Sequence, residues 1–407
     1  MSSTKTLKLA CYMTNVSMSV VSNLPPLLFI TFLTFYVKDY ALLGLLVAVN
    51  FSTQLVVDLI FSFFSHKFDI PKVVKFTPLL TIIGLLVYAA APLFPSVYFG
   101  LVLGTVIFSS ASGLAEVLIS PVIAAIPSDN PEREMSKLHS IYAWGVVFVV
   151  LFSAVFFLVF GMAKWQYLTL FFTLIPLGSF LLFLRSDVPE IEKPERVSGA
   201  LAFLKRKELW LCVFAIFLGG ASECTMAQWA SGYLEKALGL PKFFGDVFGV
   251  ALFSVMLGLG RTMYAKHGKN IEKVLFLSAI GATVCYFLAV LSSLPFIGLC
   301  ACAFTGLFVA MLWPGCLIVS SERIPDGGVF TYAMMAAGGD CGASVLPLAV
   351  GLITDGIKGS SFALSASQTI GIGVEQFAMK SGMAVGALFP LIAVFVYLHI
   401  LKTKKKA

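Results

Sequence analysis

The sequence predicts an all-α polytopic membrane protein with twelve transmembrane helices in two pseudo-symmetric six-helix bundles. Three observations carry that expectation. First, 59% of the residues are hydrophobic and only 12% are charged, about half the roughly 25% of a soluble domain and too little charge to coat a water-facing surface. Second, the apolar residues come in long blocks: 76–91, 143–163, 211–221, 274–291 and 381–401 contain almost no charge. Crossing hydrocarbon takes about 20 mostly apolar residues in a helix. Third, lysine and arginine gather in alternate loops.

The elements follow in order. Lys5 and Lys8 precede an apolar run that reaches Tyr36 and contains Pro25-Pro26. It is too long for a secretory signal, so it reads as a retained first span. The spans are then 12–36, 42–64, 74–94, 97–122, 138–160, 165–184, 209–234, 244–263, 271–292, 296–319, 330–354 and 382–401. The breaks between them fall where charge, proline or glycine interrupts the apolar runs.

On that count only Lys38, Lys164, Lys236, Lys242, Lys358 and Lys380 lie on one side, leaving 22 of the 28 basic residues on the other. Cytoplasmic loops carry the basic excess, so both termini are expected in the cytoplasm; the membrane itself is expected to be the plasma membrane. The net charge of +7 then reflects topology and calls for no nucleic-acid partner. The tail Lys404-Lys405-Lys406 fits the same rule, with a di-lysine retrieval signal as the other reading.

The densest charged stretch, 185–208, sits midway. It divides the chain into a first bundle over 1–184, a linker loop over 185–208 and a second bundle over 209–407. The basic loop His66-Lys67 to Lys75 recurs about 200 residues later as Lys266-His267 to Lys273. This layout suggests two parallel repeats, with a solute site expected between them near the midplane.

Charge inside a span is costly and marks candidate function. Four carboxylates qualify: Asp58, Glu116, Glu223 and Asp340. Counting 1.5 Å per residue, Glu223 and Asp340 fall near the midplane, and Asp58 and Glu116 about 8–9 Å toward the cytoplasmic side. No lysine or arginine lies at that depth, and only Arg261, at the inner end of span 8, comes near. Such acids take up a proton, bind a cation or face a wet cavity, or else bond a neighbouring helix as neutral groups. They are the proton-coupling candidates.

Polar stripes accompany them. Asn15, Ser19 and Ser22/Asn23 run along span 1, Gln54 and Asp58 along span 2, and Ser109, Ser112/Gly113, Glu116 and Ser120 along span 4. They read as cavity lining. Asp340 stands among Ala336, Gly339, Ala343 and Ser344, where close helix packing is the preferred reading. Trp144, Trp229 and Trp313 lie inside spans, while Trp165 and Trp210 sit at span ends, as interfacial anchors do. The solute-binding candidates are Asn23, Gln54, Glu116, Tyr142, Trp144, Gln228, Trp229 and Trp313. Pro25-Pro26, Pro121, Trp313-Pro314, Gly338-Gly339 and Pro347 mark possible helix breaks.

Enzyme chemistry finds no support. There is no H-E-x-x-H or G-x-S-x-G, and Ala337-Gly338-Gly339-Asp340 misses the G-x-G-D of intramembrane aspartyl proteases. The eight cysteines read as small buried hydrophobes. The one close pair, Cys300-x-Cys302, has no histidine or acid nearby for a metal.

The motifs together resemble the major facilitator superfamily, and within it the fucose/sugar–proton symporter group, across nearly the whole chain. Gly113-Leu114-Ala115-Glu116 through Ser120-Pro121 is similar to that group's G-x-x-E…(N/S)-P pattern. Asn23-Leu24 with Leu27-Leu28 resembles its span 1 stretch, and Trp313-Pro314 its span 10. Gly258-x-Gly260-Arg261…Tyr264…Lys266-x-Gly268 resembles its loop 8–9 motif, and Gly338-Gly339…Pro347…Gly351…Asp355 its span 11. The resemblance implies coupling and substrate roles for Glu116 and conformational roles for Arg261, Lys266 and Pro314. It implies a monomer moving a hexose or deoxyhexose with a proton, sodium remaining open as coupling ion, and no other cofactor. The group's span 1 aspartate is missing beside Pro25-Pro26, and Asp58 is the candidate to replace it. Proton-driven efflux of amphipathic compounds is the alternative, which the aromatic and methionine content also fits.

Overall fold

A computed structural model describes residues 3–28, 31–32, 35–36, 40–191, 201–240 and 245–403. Residues 192–200 of the charged linker, Lys38, Lys242 and the tail lysines Lys404 to Lys406 lie outside them. The described residues are helical and divide into two compact units: Met1–Leu209 with Ile324–Ala337, and Trp210–Arg323 with Gly338–Ala407. Ten helical stretches among them are long and apolar enough to cross a membrane, and the chain is a multi-pass membrane protein.

The first unit contains α1 (Ser3–Leu27), α2 (Tyr40–Phe64), α3 (Ile70–Ala89), α4 (Val97–Ala125), α5 (Pro131–Phe160), α6 (Trp165–Phe172) and α7 (Leu174–Leu184). The first span starts earlier than its hydropathy suggests, at Ser3, and its regular helix stops at Leu27, just after Pro25-Pro26. Proline supplies no N–H, so the turn there is closed from beyond, by Leu28 donating to Leu24 and Pro25. The sixth span is two helices meeting at Thr173. Asp69, Ser96 and Asn130 cap the first turns of α3, α4 and α5 with their side chains.

The core of this unit is aromatic. Phe32, Tyr88, Phe108 and Trp165 are all fully buried. Trp165 meets Phe32 edge-on at 5.1 Å and Tyr88 at 6.1 Å. The expectation that Trp165 anchors at the interface therefore fails. Its ring has three aromatic neighbours to bury against, and its N–H reaches the Tyr36 hydroxyl at 3.4 Å. Trp210, half exposed at a helix start, keeps the position of an anchor. Helices α3 and α4 approach closely because a Cβ on Gly84 would strike the Phe108 backbone and one on Gly104 the Tyr88 backbone.

The second unit is built from α8 (Lys207–Leu238), α9 (Leu252–His267), α10 (Ile271–Leu291), α11 (Pro295–Val309), α12 (Leu312–Arg323), α13 (Gly328–Lys358), α14 (Ser361–Ile370) and α15 (Val374–Lys402). A π-helical turn over Gly245–Ala251 leads into α9. Helix α14 was not expected. Ser360 caps its start and Gly371, at φ +76°, ends it.

The start of α13 belongs to the first unit. Phe330 stacks on Phe203 at 5.2 Å and meets Phe63 at 6.2 Å. Asp326, just before α13, receives both guanidinium nitrogens of Arg206 at 2.6 and 2.7 Å.

Candidate functional site

The polar stripes of spans 2 and 4 form one seam in the first unit. Gln54 donates to the Asn50 side-chain oxygen at 3.2 Å, and Ser109 donates to the same oxygen from α4. Four residues on, Gly113 is small enough for α4 to touch the Gln54 backbone. Both contacts pair residues 59 apart in sequence, so α2 and α4 run parallel and in register. One further turn places Asp58 of α2 at the level of Glu116 and Val117 of α4. Two carboxyl groups thus occupy one level of a close helix pair. Asp58 is fully buried and Glu116 half-buried. Between them and Ser109 lies Ser112, 2% exposed, whose hydroxyl has no hydrogen-bond partner among the described residues. Such a hydroxyl calls for a water or a solute. Asn50 was missed by the sequence reading, although its i, i+4 spacing to Gln54 could have found it.

The span 1 stripe behaves differently. Asn15 donates to the Leu138 carbonyl at 2.8 Å and Ser19 to the Tyr142 carbonyl at 2.7 Å. Both are buried, and Gly145 leaves room for the Ser19 side chain. Asn15 and Ser19 therefore fasten α1 to α5 and do not line a cavity. Asn23, one turn beyond, is half-buried and donates back to the Ser19 carbonyl at 2.9 Å. Tyr142 is half-buried, and Trp144, 39% exposed, turns outward from α5.

In the second unit the expected acid without a base is absent at Glu223. Arg261 places one guanidinium nitrogen 2.9 Å from each Glu223 oxygen, with both side chains nearly dry. Arg261 also has a backbone task. Pro314 has no N–H, so the carbonyl four residues earlier, Ala310, lacks its helical donor. Span 10 breaks there into α11 and α12, and the Arg261 Nε takes that carbonyl at 2.9 Å. Gly260 permits the approach, since a Cβ there would meet Ala310. Lys266, at the end of α9, is exposed.

Two interior tryptophans are packed into this unit. The Trp313 ring lies on Gly220 and Gly339, where any Cβ would collide with it. Trp229 donates to the Pro347 carbonyl at 3.0 Å and covers Gly351. Gln228 beside it is exposed. Asp340, 5% exposed, stands in the same tight seam. Gly338 faces the Val213 backbone and Gly342 the Phe217 backbone. The structure thus joins Asp58, Glu116 and Gln54 on one seam and gives Glu223, Arg261 and Pro314 to a separate joint.

Comparison with known proteins agrees with this architecture. The family model described as Major Facilitator Superfamily matches residues 10–347. No curated protein sequence matches the chain. Among solved structures, the transporter FucP in its outward conformation superposes with a TM-score of 0.76 at 14% identity, covering 98% of this chain and 99% of that one. A variant of the E. coli fucose:proton symporter FucP gives 0.73 at 13% identity with 100% of both chains covered. The proton:xylose symporter XylE bound to 6-bromo-6-deoxy-D-glucose gives 0.72 at 15% identity, covering 96% and 95%. At these identities the likeness is one of fold.

Proposed function

Since this chain belongs to the Major Facilitator Superfamily, a family of transporters and not of enzymes, we propose that it is a secondary transporter that imports a small polar solute, a sugar by class, together with a proton. The observation that carries this reading is the level shared by Asp58 and Glu116 on the α2–α4 seam. A charge held at the centre of a span costs roughly 2.5–3.5 kcal/mol on insertion scales. Asp58 and Glu116 lie off that centre, where the cost is smaller, and a proton taken up by one of the two carboxyls lowers it further. Binding and release of that proton, linked to the solute, is the chemistry of a symporter. The seam's amide and hydroxyl groups, Gln54, Asn50 and Ser112, are hydrogen-bonding partners suited to a polyhydroxylated solute.

The sugar class rests on two supports. The Gly113-to-Pro121 segment resembles the fucose/sugar–proton group, and fucose and xylose symporters share the fold. Glu116, half-buried, meets the solute, and Asp58, fully buried, holds the second carboxyl. Asn23 and Trp144 are further candidates for solute contact. Trp229 and Trp313 serve packing first, and Glu223 with Arg261 serves the span 10 joint. Access alternates between the two membrane faces, in the plasma membrane, with both termini cytoplasmic.

The test is solute uptake into proteoliposomes under an imposed pH gradient, after a thermal-shift screen of sugars picks the solute. Uphill accumulation is expected in the wild type with alkalinisation outside. Glu116→Gln should abolish accumulation while leaving downhill exchange. Asp58→Asn should do the same if it replaces the span 1 aspartate. Accumulation by Glu116→Gln equal to wild type would remove the seam from coupling. Protons moving opposite to the solute would make the protein an exporter.

A further inference from the structure

The second unit carries an apolar groove between α10 and α11, away from every residue assigned above. It holds about 330 Å³ and is lined by Val284, Leu288, Phe296, Ile297, Cys300 and Phe304 among others, all apolar side chains or thiols. That volume is at the lower end of the ~300–1,000 Å³ of small-molecule sites. Its walls are open: Phe296 is 75% exposed, Val284 52% and Leu288 48%. These are residues of two membrane-spanning helices, so the groove opens to hydrocarbon and not to water. A gap of this size forfeits dispersion contacts unless something fills it. The bilayer offers flexible acyl chains at that position.

A cation stands at one end of the groove. Ser292 follows α10 and donates to the Leu288 carbonyl at 3.0 Å. It therefore stacks one turn, about 5.4 Å, beyond a lining residue. The Ser292 carbonyl accepts from the Lys380 ammonium of α15. Ser292 and Leu294 belong to the turn joining α10 to α11, and Lys380 lies near the start of α15, at the far end of that helix from Lys402. An ammonium has three donors, and Ser292 takes one. The nearest acid along α15, Glu375, is bound to Lys358 at 3.1 Å. Among the described residues no carboxylate forms an ion pair with Lys380.

An apolar slot ending in an uncompensated cation at the interface matches one class of molecule. We propose that the α10–α11 groove and Lys380 form a phospholipid site, with an acyl tail in the groove and an anionic headgroup on the ammonium. The preference is for a lipid of net negative charge, such as phosphatidylglycerol, over zwitterionic phosphatidylcholine. The site does not depend on the solute or on the coupling ion.

Native mass spectrometry of the full chain in detergent, titrated with phosphatidylglycerol or phosphatidylcholine of the same tails, tests it. The wild type should retain one phosphatidylglycerol more tightly than phosphatidylcholine. Lys380→Gln should weaken the anionic lipid about fivefold, the effect of one basic residue near a charged headgroup, and leave phosphatidylcholine unchanged. Lys380→Arg should restore the preference. Cys300→Trp, which fills the groove from its rim, should weaken both lipids without lowering the unfolding temperature. Equal phosphatidylglycerol retention by wild type, Lys380→Gln and Cys300→Trp would overturn the proposal. So would loss in Lys380→Gln with none in Cys300→Trp, which would leave only surface charge pairing. Displacement of the lipid by excess inorganic phosphate would show a simple anion site. Dimers that disappear in Cys300→Trp would show that a second copy fills the groove.

Discussion

Arg261 is held by three features that lie far apart in sequence: a carboxylate at 223, a freed carbonyl at 310 and the proline at 314 that frees it. Removing one partner of a buried pair leaves the other charge dry and uncompensated, at a cost of about 3–5 kcal/mol. Glu223→Gln and Arg261→Met should each lower the unfolding temperature in detergent sharply. The double variant Arg261→Met/Glu223→Met should recover most of the loss, because an apolar pair of similar volume carries no charge to desolvate. Pro314→Ala restores an N–H for Ala310, so Arg261→Met should cost less in that background. Additive losses in the three combinations would show that these residues do not act as one joint. This joint was only half legible in the sequence. Composition shows that Glu223 and Arg261 are expensive at depth, but whether two costly groups meet is decided by the register of α8 against α9. The same limit hid Trp313, whose ring needs Gly220 and Gly339 from two other helices to lie flat.

Helices were legible for a different reason. A span must be continuous and apolar whatever it packs against, so hydropathy alone finds it. Breaks within spans were legible only where proline writes them, as at Pro314. The break at Thr173 is also written by proline, since Pro176 has no N–H for the Phe172 carbonyl four residues earlier, but it escaped the sequence reading; α14 is too short and polar for a hydropathy window to register. Close approach, in contrast, is written in glycine. Gly342 lies against the Phe217 carbonyl and the Ala221 nitrogen, and a side chain there must push α13 from α8. Gly356, near the end of the same helix, has open space around its missing Cβ. Gly342→Val should therefore destabilise the purified protein by about 1–3 kcal/mol, the range for overpacked sites. Gly356→Ala should be neutral or stabilising by up to about 1 kcal/mol, from helix propensity alone. Unfolding temperatures in one detergent separate the two. Equal effects would mean that the small residues of span 11 are not there for packing.

For the whole molecule, the sequence predicts an orientation in the membrane that side-chain contacts do not reveal. On the span count expected from the sequence, each pass reverses the direction of the one before, and twelve passes would return the chain to its starting side. The basic residues choose that side: the loop Lys266 to Lys273 and the α15 end at Lys402 belong to the rich class, while Lys358 and Lys380 flank α14 in the poor class. A single lost or gained span would mix the two classes, since every later loop would change sides. The expected outcome is that alkaline phosphatase, which folds only outside the cytoplasm, is inactive when fused after Lys402 and active when inserted at Gly371, while a green fluorescent protein gives the reverse. Gly371 suits the insertion because its left-handed φ of +76° ends α14 in an exposed turn. Active phosphatase at Lys402 with a silent insertion at Gly371 would invert the topology. The Asp58–Glu116 level would then lie nearer the opposite compartment, while solute and proton, bound together, would still move in the direction the proton gradient sets.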